Sequence, residues 1–258
     1  MSTFRKPKQA LKRSKAGVES SGLLSSSSKG NRKEDQRSAS RDAEAKRARE
    51  IAKRLASQYP NAETALVYRN PFEMLVATIL SAQCTDAKVN EVTPALFDTY
   101  PGPEELAAAR LEDVETLIRP TGFFRNKAKT LVAMASMLVE EFGGEVPRRM
   151  EDLVRLPGVG RKTAAVVQST ALKNEFPEGP EGIAVDTHVF RIAKRLGLSD
   201  KNDPDGVERD LMKLLPRSEW GDFALRLILH GRQVCKARKP LCGECVLNDV
   251  CPSAGIVG

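Results

Sequence analysis

Apolar residues recur three and four positions apart along most of this 258-residue chain, and strict alternation of apolar and polar residues is almost absent. Ile51 and Leu55 share one helical face, and the stretch from Phe72 to Leu80 carries a wider one. This spacing is typical of amphipathic helices that bury one side against a core. The pattern therefore predicts an all-α fold.

Prolines, glycines and capping residues set the limits of the predicted helices. These helices cover 41–58, a stretch opened by Asn70-Pro71, a stretch from Val89 to Phe97, a short helix from Pro103, then 111–118, about 126–142, 150–155, 162–172, a helix from Asp186 to Gly197, one from Asp203-Pro204, and one capped by Ser218. A loop at 173–182 with three acids, two prolines and two glycines separates the last two groups of helices.

The sequence LPGVGRKT at 156–163 joins two short predicted helices. Gly158 and Gly160 allow a tight turn with positive φ. The helix that follows presents unpaired backbone N–H groups and the positive end of its dipole, which together favour a phosphate. Arg161 and Lys162 lie in its first turn, where the dipole disfavours cations. A bound phosphate would compensate both charges, and the dipole favours the neutral, nucleophilic amine of Lys162.

Formal net charge is +7, and its placement matters more than its size. Residues 1–37 hold ten Lys and Arg against three acids, which accounts for the whole excess, so the remaining chain is formally neutral. The folded part cannot bind a polyanion such as DNA by bulk charge, so any such binding must use local patches and backbone N–H groups. The basic, Ser-rich segment 1–42 is predicted to be a disordered tail. A DNA-binding arm, an organelle transit segment and a solvated tail without a role all remain open for it.

Four of the five cysteines form the pattern C-x6-C-x2-C-x5-C near the end of the sequence. Without an export signal, metal ligation is a better interpretation than disulfides. Four thiolates suit either tetrahedral zinc or a [4Fe–4S] cluster, and the single C-x2-C pair favours the cluster. Lys236, Arg238 and Lys239 lie inside the first loop, where cations would balance the thiolates or contact phosphates. The predicted ligands are Cys235, Cys242, Cys245 and Cys251.

Three further residues are candidates for a site, each with a plain structural alternative. Asp186 precedes a helix, so an N-cap alone explains it, but near Lys162 its carboxylate could take a proton or stabilise positive charge on a sugar. Gln83 lies at a helix end and Phe123 follows a glycine. Such side chains can insert into a base stack and fill the gap left by a flipped base, although phenylalanine is more often core.

Four motifs together resemble the endonuclease III family of DNA glycosylases: LPGVGRKTA at 156–164, AVDTHVFR at 184–191, LSAQCTD at 80–86 and the four-cysteine segment. The resemblance spans about residues 45–251. It implies that Lys162 is the nucleophile and Asp186 the assisting carboxylate, with Gln83 and Phe123 inserted into the duplex. It gives His188 a supporting role and leaves DNA backbone contacts to Gly158, Gly160 and Arg161.

The resemblance also implies the architecture and the activity. A six-helix barrel at 64–180 and a [4Fe–4S] cluster domain built from 43–63 and 181–258 would flank a cleft holding the active site. The enzyme would remove oxidised pyrimidines such as thymine glycol through a lysine Schiff base, then cut the strand by β-elimination. Its partner would be double-stranded DNA with a damaged base or an abasic site. We expect a monomer without a membrane partner, in the bacterial cytoplasm, or in the nucleus or a mitochondrion of a eukaryote.

Two features depart from the family pattern, and two other functions stay open. The family often has an aliphatic residue at the position of Phe123 and a shorter loop than 173–182, which could touch substrate or have no role. A monofunctional adenine glycosylase shares the hairpin and cluster, but Lys162 and the short stretch after Cys251 argue against it. A non-catalytic DNA-binding module is disfavoured by the presence of both Lys162 and Asp186.

Overall fold

The computed structural model describes the backbone of residues 27–256 and the side chains of 42–256; the predictions for 1–26 lie outside the described residues. Every regular element in this range is helical, which confirms the all-α prediction. The α-helices are α1 (Ser27–Gln58), α2 (Pro71–Leu80), α3 (Asp86–Thr99), α4 (Pro103–Ala107), α5 (Leu111–Ile118), α6 (Phe124–Phe142), α7 (Met150–Leu153), α8 (Arg161–Ser169), α9 (Thr187–Arg195), α10 (Pro204–Leu214) and α11 (Trp220–Gln233).

Side-chain caps start four of these helices, and three of them, at Asn70, Asp186 and Asp203, were predicted from the sequence. Asn70, Thr85, Asp186 and Asp203 each accept a hydrogen bond from a backbone N–H of the first turn of α2, α3, α9 and α10. These bonds satisfy donors that a helix start otherwise leaves unpaired. Gly143 ends α6 in the left-handed conformation, as predicted from its glycine pair.

A first hydrophobic cluster is built around α6, against which α4 and α5 pack. Its centre includes Leu131, Met134 and Leu138, which are fully buried. Helices α2 and α8 pack against each other and supply the other side of this cluster. All but one of its fully enclosed members come from residues 66–172.

A second cluster joins α1 to α9, α10 and α11, with Ile51, Leu55 and Phe223 at its centre. The two clusters meet at the short apolar segment before α9. Ala184 belongs to the first cluster, whereas Ile183 and Val185 on either side of it belong to the second. The segment that leads into α9 therefore runs along the boundary between the two cores.

The structure differs from the sequence predictions at two helix starts. Helix α1 begins at Ser27 instead of residue 41, so the expected absence of regular structure is wrong for 27–40. Lys, Arg, Glu and Gln are good helix formers, and a helix propagates readily from turns that are already formed. Ser218 does not cap α11, because it lies inside a 3-10 turn, Arg217–Glu219, that leads into Trp220.

No helix in the described part of the chain combines the length and the apolar character that a bilayer crossing requires.

Candidate functional site

Of the two glycines in the turn between α7 and α8, only Gly158 has a backbone position that requires glycine. Gly158 has φ +78°, and a Cβ there would lie 2.3 Å from Cγ2 of Thr130 on α6. Gly160 has φ −88° and ψ 174°, and a Cβ there would meet nothing within 4 Å. The prediction of positive φ at both glycines is thus wrong for Gly160, whose extended backbone any residue can adopt. Open space in front of Gly160 leaves room for a ligand.

The start of α8 has no side-chain cap. The first backbone donor that finds a helical acceptor is the N–H of Ala164, which binds the carbonyl oxygen of Gly160 at 3.0 Å. Gly158, Gly160 and Lys162 are all exposed, and within residues 42–256 the amine of Lys162 forms no ion pair. This helix start therefore offers free N–H groups and a free cation on the surface, as predicted for a phosphate-binding hairpin.

Arg161 has a protein partner instead of a free guanidinium. Its Nε donates to Oε2 of Glu208 at 2.6 Å, and its second terminal nitrogen donates to the carbonyl oxygen of Glu181 at 3.3 Å. The Glu208 side chain is only 5% exposed, against 44% for Arg161, and its other oxygen accepts from the N–H of Ile183 at 3.1 Å. Glu208 therefore holds the start of α8 next to the segment that leads into α9. Arg161 thus takes part in an internal ion pair while 44% of its side chain stays exposed, and its contact with the DNA backbone stays a prediction.

Asp186 caps α9 with a single oxygen. Oδ1 accepts from the N–H groups of His188 and Val189, both at 2.8 Å. The side chain is half-buried, and in the part of the chain whose side chains are described Oδ2 accepts no hydrogen bond. One carboxylate oxygen thus holds the helix, and the other is available for chemistry.

His188 packs into the protein behind this cap. Its Nδ1 lies 3.2 Å from a terminal nitrogen of Arg191, and a Cβ on Gly231 would come within 2.6 Å of the same atom. Burial lowers the pKa of His188, so the ring is neutral at pH 7. This environment fits a supporting role in seating α9 against α11.

Gln83 and Phe123 share an unusual backbone conformation. Among described residues other than glycine, only Gln83 (φ 53°), Phe123 (φ 48°) and Lys239 (φ 52°) have positive φ. Gln83 is exposed, and the Phe123 ring is 65% exposed although it precedes a core helix. Such residues cluster at functional sites, because the strain persists only where the surroundings enforce it.

The ring of Phe124, by contrast, turns inward and packs against the first cluster. The guanidinium groups of Arg119 and Arg125 lie 5.4 Å and 5.6 Å from its centroid. Of the two adjacent phenylalanines, Phe124 is therefore held by the core and by two cations. Phe123 is left to point outward.

The four clustered cysteines line one cavity between α9, α11 and the segment that follows α11. Within residues 42–256, no three His, Cys, Asp or Glu side chains converge closely enough for one metal ion. A single zinc with four thiolate ligands would hold its sulfur atoms only about 3.8 Å apart, given Zn–S bonds of about 2.3 Å. Thiols that surround a common space without converging fit a multi-iron cluster better than zinc.

Polar groups already point at these sulfur atoms. Arg195 donates to Sγ of Cys235 at 3.4 Å, and the N–H of Leu247 donates to Sγ of Cys245 at 3.4 Å. Donors of this kind stabilise thiolates bound to iron. Burial raises the pKa of the Cys245 and Cys251 thiols, so binding to iron must displace their protons.

His230 is a buried neighbour of the cysteines that the sequence did not single out. It is 2% exposed, and burial lowers its pKa to about 4. Its Nδ1 lies 3.2 Å from the Tyr59 hydroxyl and its Nε2 lies 3.5 Å from Sγ of Cys245. A neutral ring protonated on Nε2 accepts from Tyr59 and donates to the sulfur. These two hydrogen bonds thereby link Tyr59, at the end of α1, to the cysteine segment.

The loop between the first two cysteines exposes its cations and fixes its backbone. Arg195 donates to the carbonyl oxygens of Lys236 at 2.7 Å and Ala237 at 3.0 Å, and Arg191 donates to that of Cys235 at 3.0 Å. The side chains of Lys236, Arg238 and Lys239 are exposed. Two half-buried arginines thus hold the backbone of the loop while the loop's own cations face solvent.

The long loop at 173–182 is anchored at its far end. Glu181 accepts from the N–H of Met150, the first residue of α7, and from the buried amide of Gln168. A Cβ on Gly179 would lie 2.1 Å from the carbonyl oxygen of Arg217, so only glycine fits there. The loop therefore supports the hairpin by capping α7.

Two functional residues, Glu208 and Glu181, were not predicted from the sequence. Glu208 binds Arg161, 47 positions away, and Glu181 binds Met150, 31 positions away, so neither contact leaves a local signal. Lys127 was not predicted either, although a signal for it exists. Lys127 lies four positions before Leu131 on the apolar face of α6, and a lysine at a core position is rarely accidental.

Comparisons with known proteins agree with the geometry of the hairpin and of the cysteine segment. A family profile described as HhH-GPD superfamily base excision DNA repair protein matches residues 76–217. A second profile, the iron–sulfur binding domain of endonuclease III, matches residues 235–251 and so includes all four clustered cysteines. The fold and the site therefore define a helix-hairpin-helix base excision repair protein with an iron–sulfur segment.

The individual proteins that this chain resembles point to one family within this class of repair proteins. Endonuclease III of Synechocystis sp. is 54% identical over 208 residues, which cover 81% of this chain and 93% of that protein. Endonuclease III of Bacillus subtilis is 48% identical over 199 residues, 77% of this chain and 88% of that protein. A solved structure of a trapped endonuclease III–DNA covalent intermediate is 45% identical with a TM-score of 0.75, covering 81% of this chain and 96% of that one.

The chain belongs to the endonuclease III family. It is a base excision repair glycosylase for oxidised pyrimidines with AP lyase activity, and it carries an iron–sulfur cluster.

Proposed function

We propose that Lys162 is the nucleophile and Asp186 the assisting carboxylate of this glycosylase and lyase. The observation that carries the proposal is the Arg161–Glu208–Ile183 connection. It ties the uncapped start of α8, where Lys162 is exposed, to the segment that ends in Asp186. A free amine and a carboxylate with one unused oxygen thus belong to two elements that the protein holds together.

The reaction requires the damaged nucleotide to leave the base stack. The neutral amine of Lys162 attacks C1′, the bond between C1′ and the base breaks, and the base leaves with its electron pair and takes up a proton. Asp186 accepts the proton of the lysine ammonium and stabilises positive charge on the sugar. The nitrogen then loses a proton, the C1′–O4′ bond of the sugar ring breaks, and O4′ takes up a proton, which gives the imine. Loss of a C2′ proton from this imine expels the 3′ phosphate and cuts the strand.

Three surfaces support the proposed contacts with DNA. The free N–H groups after Gly160 suit a phosphate, the exposed left-handed residues Gln83 and Phe123 suit insertion into the duplex, and the cations of the cysteine loop suit the backbone. Arg161 positions α8 through Glu208, and the exposed part of its guanidinium suits a contact with the backbone.

The two hydrophobic clusters support a barrel at 64–180 and a cluster domain from 43–63 and 181–258, with the active site in the cleft between them and 1–42 as a separate basic tail. Cys235, Cys242, Cys245 and Cys251 would hold a [4Fe–4S] cluster, which when bound crosslinks the C-terminal segment. Iron and acid-labile sulfide should be found in anaerobically purified protein. Stoichiometric zinc without iron would contradict this assignment.

A monomer in the bacterial cytoplasm completes the proposal. The bacterial origin of the curated relatives supports the host, and the active site draws on one chain alone. Sedimentation at micromolar concentration should give the mass of one chain, and with duplex DNA the mass of one chain plus one duplex.

Duplexes with single defined lesions test the function. Wild-type protein should excise thymine glycol and cut the strand, and should leave an undamaged duplex intact. Lys162→Ala should lose both steps but still bind, because the hairpin N–H groups remain. Removal of a mispaired adenine without strand cleavage would favour an adenine glycosylase, and binding without any excision would favour a non-catalytic DNA-binding module.

A further inference from the structure

Lys127 is a buried cation that the proposed chemistry does not use. It lies in the second turn of α6 on the face that also carries Ala128, Leu131 and Met134, and it is only 6% exposed. Within the described side chains it forms no ion pair. A buried ammonium is costly unless its protons are hydrogen-bonded, so its partners decide what it does.

Those partners are two backbone carbonyls from separate parts of the chain. Nζ of Lys127 donates to the carbonyl oxygen of Leu80 at 2.8 Å and to that of Thr121 at 2.9 Å. Leu80 is the last residue of α2, where carbonyl oxygens lack helical partners and the dipole favours a cation. Thr121 is the last residue of a 3-10 turn, Arg119–Thr121, and the only buried residue of that turn.

Each carbonyl lies two or three positions before one of the exposed left-handed residues. Gln83 follows Leu80 by three residues, and Phe123 follows Thr121 by two. A left-handed conformation costs about 1 kcal/mol or more for a residue with a side chain, and it persists only where neighbouring structure enforces it. One ammonium group therefore holds the base of both exposed loops.

We propose that Lys127 is a positioning residue that joins the Gln83 and Phe123 loops into one unit, so that both side chains enter the duplex together. The proposal rests on the insertion role given to these two residues under the proposed function. It adds that the protein holds both loops in place before DNA arrives, which lowers the ordering cost of binding.

The surroundings of Lys127 fit a fixed structural link. Burial lowers the pKa of its ammonium, and the nearby Cys84 thiol acts in the opposite direction. Thr121 is itself buried, and its hydroxyl donates to the carbonyl oxygen of Ile118 at 2.8 Å. Water has no access to replace the lysine, so an apolar substitute would leave two buried carbonyls without a donor.

The test compares Lys127→Met with Lys129→Met, which removes the same charge from an exposed position of the same helix. Unstacking is followed with 2-aminopurine beside a thymine glycol, and excision is measured at saturating duplex. Lys127→Met should lower the fluorescence rise and slow excision by about 10- to 100-fold, the scale of a small misplacement. Cleavage of a pre-formed abasic duplex should fall far less, because no base must be unstacked. Lys129→Met should behave as wild type.

A double-mutant cycle separates the proposal from general destabilisation. In a Gln83→Ala/Phe123→Ala background, Lys127→Met should add almost nothing to the defect, because its effect passes through those side chains. Additive losses, or equal losses on lesion and abasic duplexes, would overturn the proposal. If Lys127→Met does not fold, Lys127→Gln, which keeps one donor group, serves in the same cycle. A Gln83→Ala/Phe123→Ala enzyme with wild-type unstacking would instead overturn the insertion role itself.

Discussion

Two helix starts lie on either side of the Arg161–Glu208 link, and they are built in opposite ways. Helix α9 begins with Asp186, whose carboxylate accepts from two backbone N–H groups. Helix α8 begins with Gly160, which offers no side chain, and its first turn carries a free lysine. One start is satisfied within the protein, and the other keeps its donors unpaired.

This difference separates stability from function. A helix start with glycine in place of a capping side chain gives up about a few tenths of a kcal/mol of stability. At α8 the missing cap leaves backbone donors and a lysine available to a ligand. Departures from the usual rules of helix capping tend to occur at functional sites. At α9 the cap and the proposed chemistry share one carboxylate, because Oδ1 alone binds the helix.

Asp186→Asn should have the largest effect of the variants that keep Lys162. Asparagine retains an oxygen for the two N–H groups, so the cap and the fold should survive, while excision of thymine glycol should fall by about 100-fold or more with the loss of charge. Cleavage of a pre-formed abasic site should fall less. Asp203→Asn, at the cap of α10, is the matched control and should excise normally. Wild-type excision by Asp186→Asn would reduce Asp186 to a plain cap.

Glu208→Gln tests the link between the two helix starts. The amide keeps one acceptor for Arg161 and Ile183 but loses the charge, so the start of α8 should loosen and excision should slow by about tenfold. Glu73→Gln is a close control, because buried Glu73 also accepts from an arginine Nε and a backbone N–H, with Arg69 as the donor of both.

Both of these variants should lower the melting temperature, but only Glu208→Gln should slow excision at saturating DNA. Equal excision rates for the two would show that the link has no role in placing Lys162.

The two hairpin glycines should respond differently to alanine. Gly158→Ala requires a positive φ and meets Thr130, so it should cost about 1–3 kcal/mol of stability. Gly160→Ala fits its backbone and open space, so stability should change by less than about 0.5 kcal/mol. Duplex affinity should nevertheless fall, because the new methyl group occupies the space for the phosphate. Unchanged affinity of Gly160→Ala would place the phosphate elsewhere.

Deletion of residues 1–37 should have the smallest effect on catalysis. It takes the formal net charge from +7 to 0, so binding to every duplex should weaken and log K should depend less steeply on log salt. Excision at saturating DNA and discrimination between lesions should stay the same, because the deletion leaves the starts of α8 and α9 unchanged. An unchanged salt slope would exclude the tail from DNA binding.

The sequence was sufficient for everything that local chemistry determines. Apolar spacing predicted the helices, and Asn70, Asp186 and Asp203 marked three helix starts correctly, because a cap acts within three residues. The hairpin and the cysteine segment could be found for the same reason. The predicted cap at Ser218 is wrong, because Pro216 precedes a 3-10 turn before α11 and the serine lies inside that turn.

Long-range partners could not be predicted. The pairing of Arg161 with Glu208 joins residues from two different cores, so a phosphate looked like the partner of both hairpin cations. The left-handed backbone of Gln83 and Phe123 is likewise held from α6 by Lys127. The position of Lys127 on an apolar helix face signals that it is buried, but not which carbonyl oxygens it binds.

The attachment site of the trapped enzyme tests the central claim most directly. Borohydride reduces an imine to a stable amine, so wild-type protein incubated with a thymine glycol duplex should become covalently bound to DNA. Mass spectrometry after digestion should place the adduct on Lys162, and Lys162→Ala should form none. An adduct on any other lysine, or on the N-terminal amine, would contradict the assignment of the free cation at the α8 start as the nucleophile.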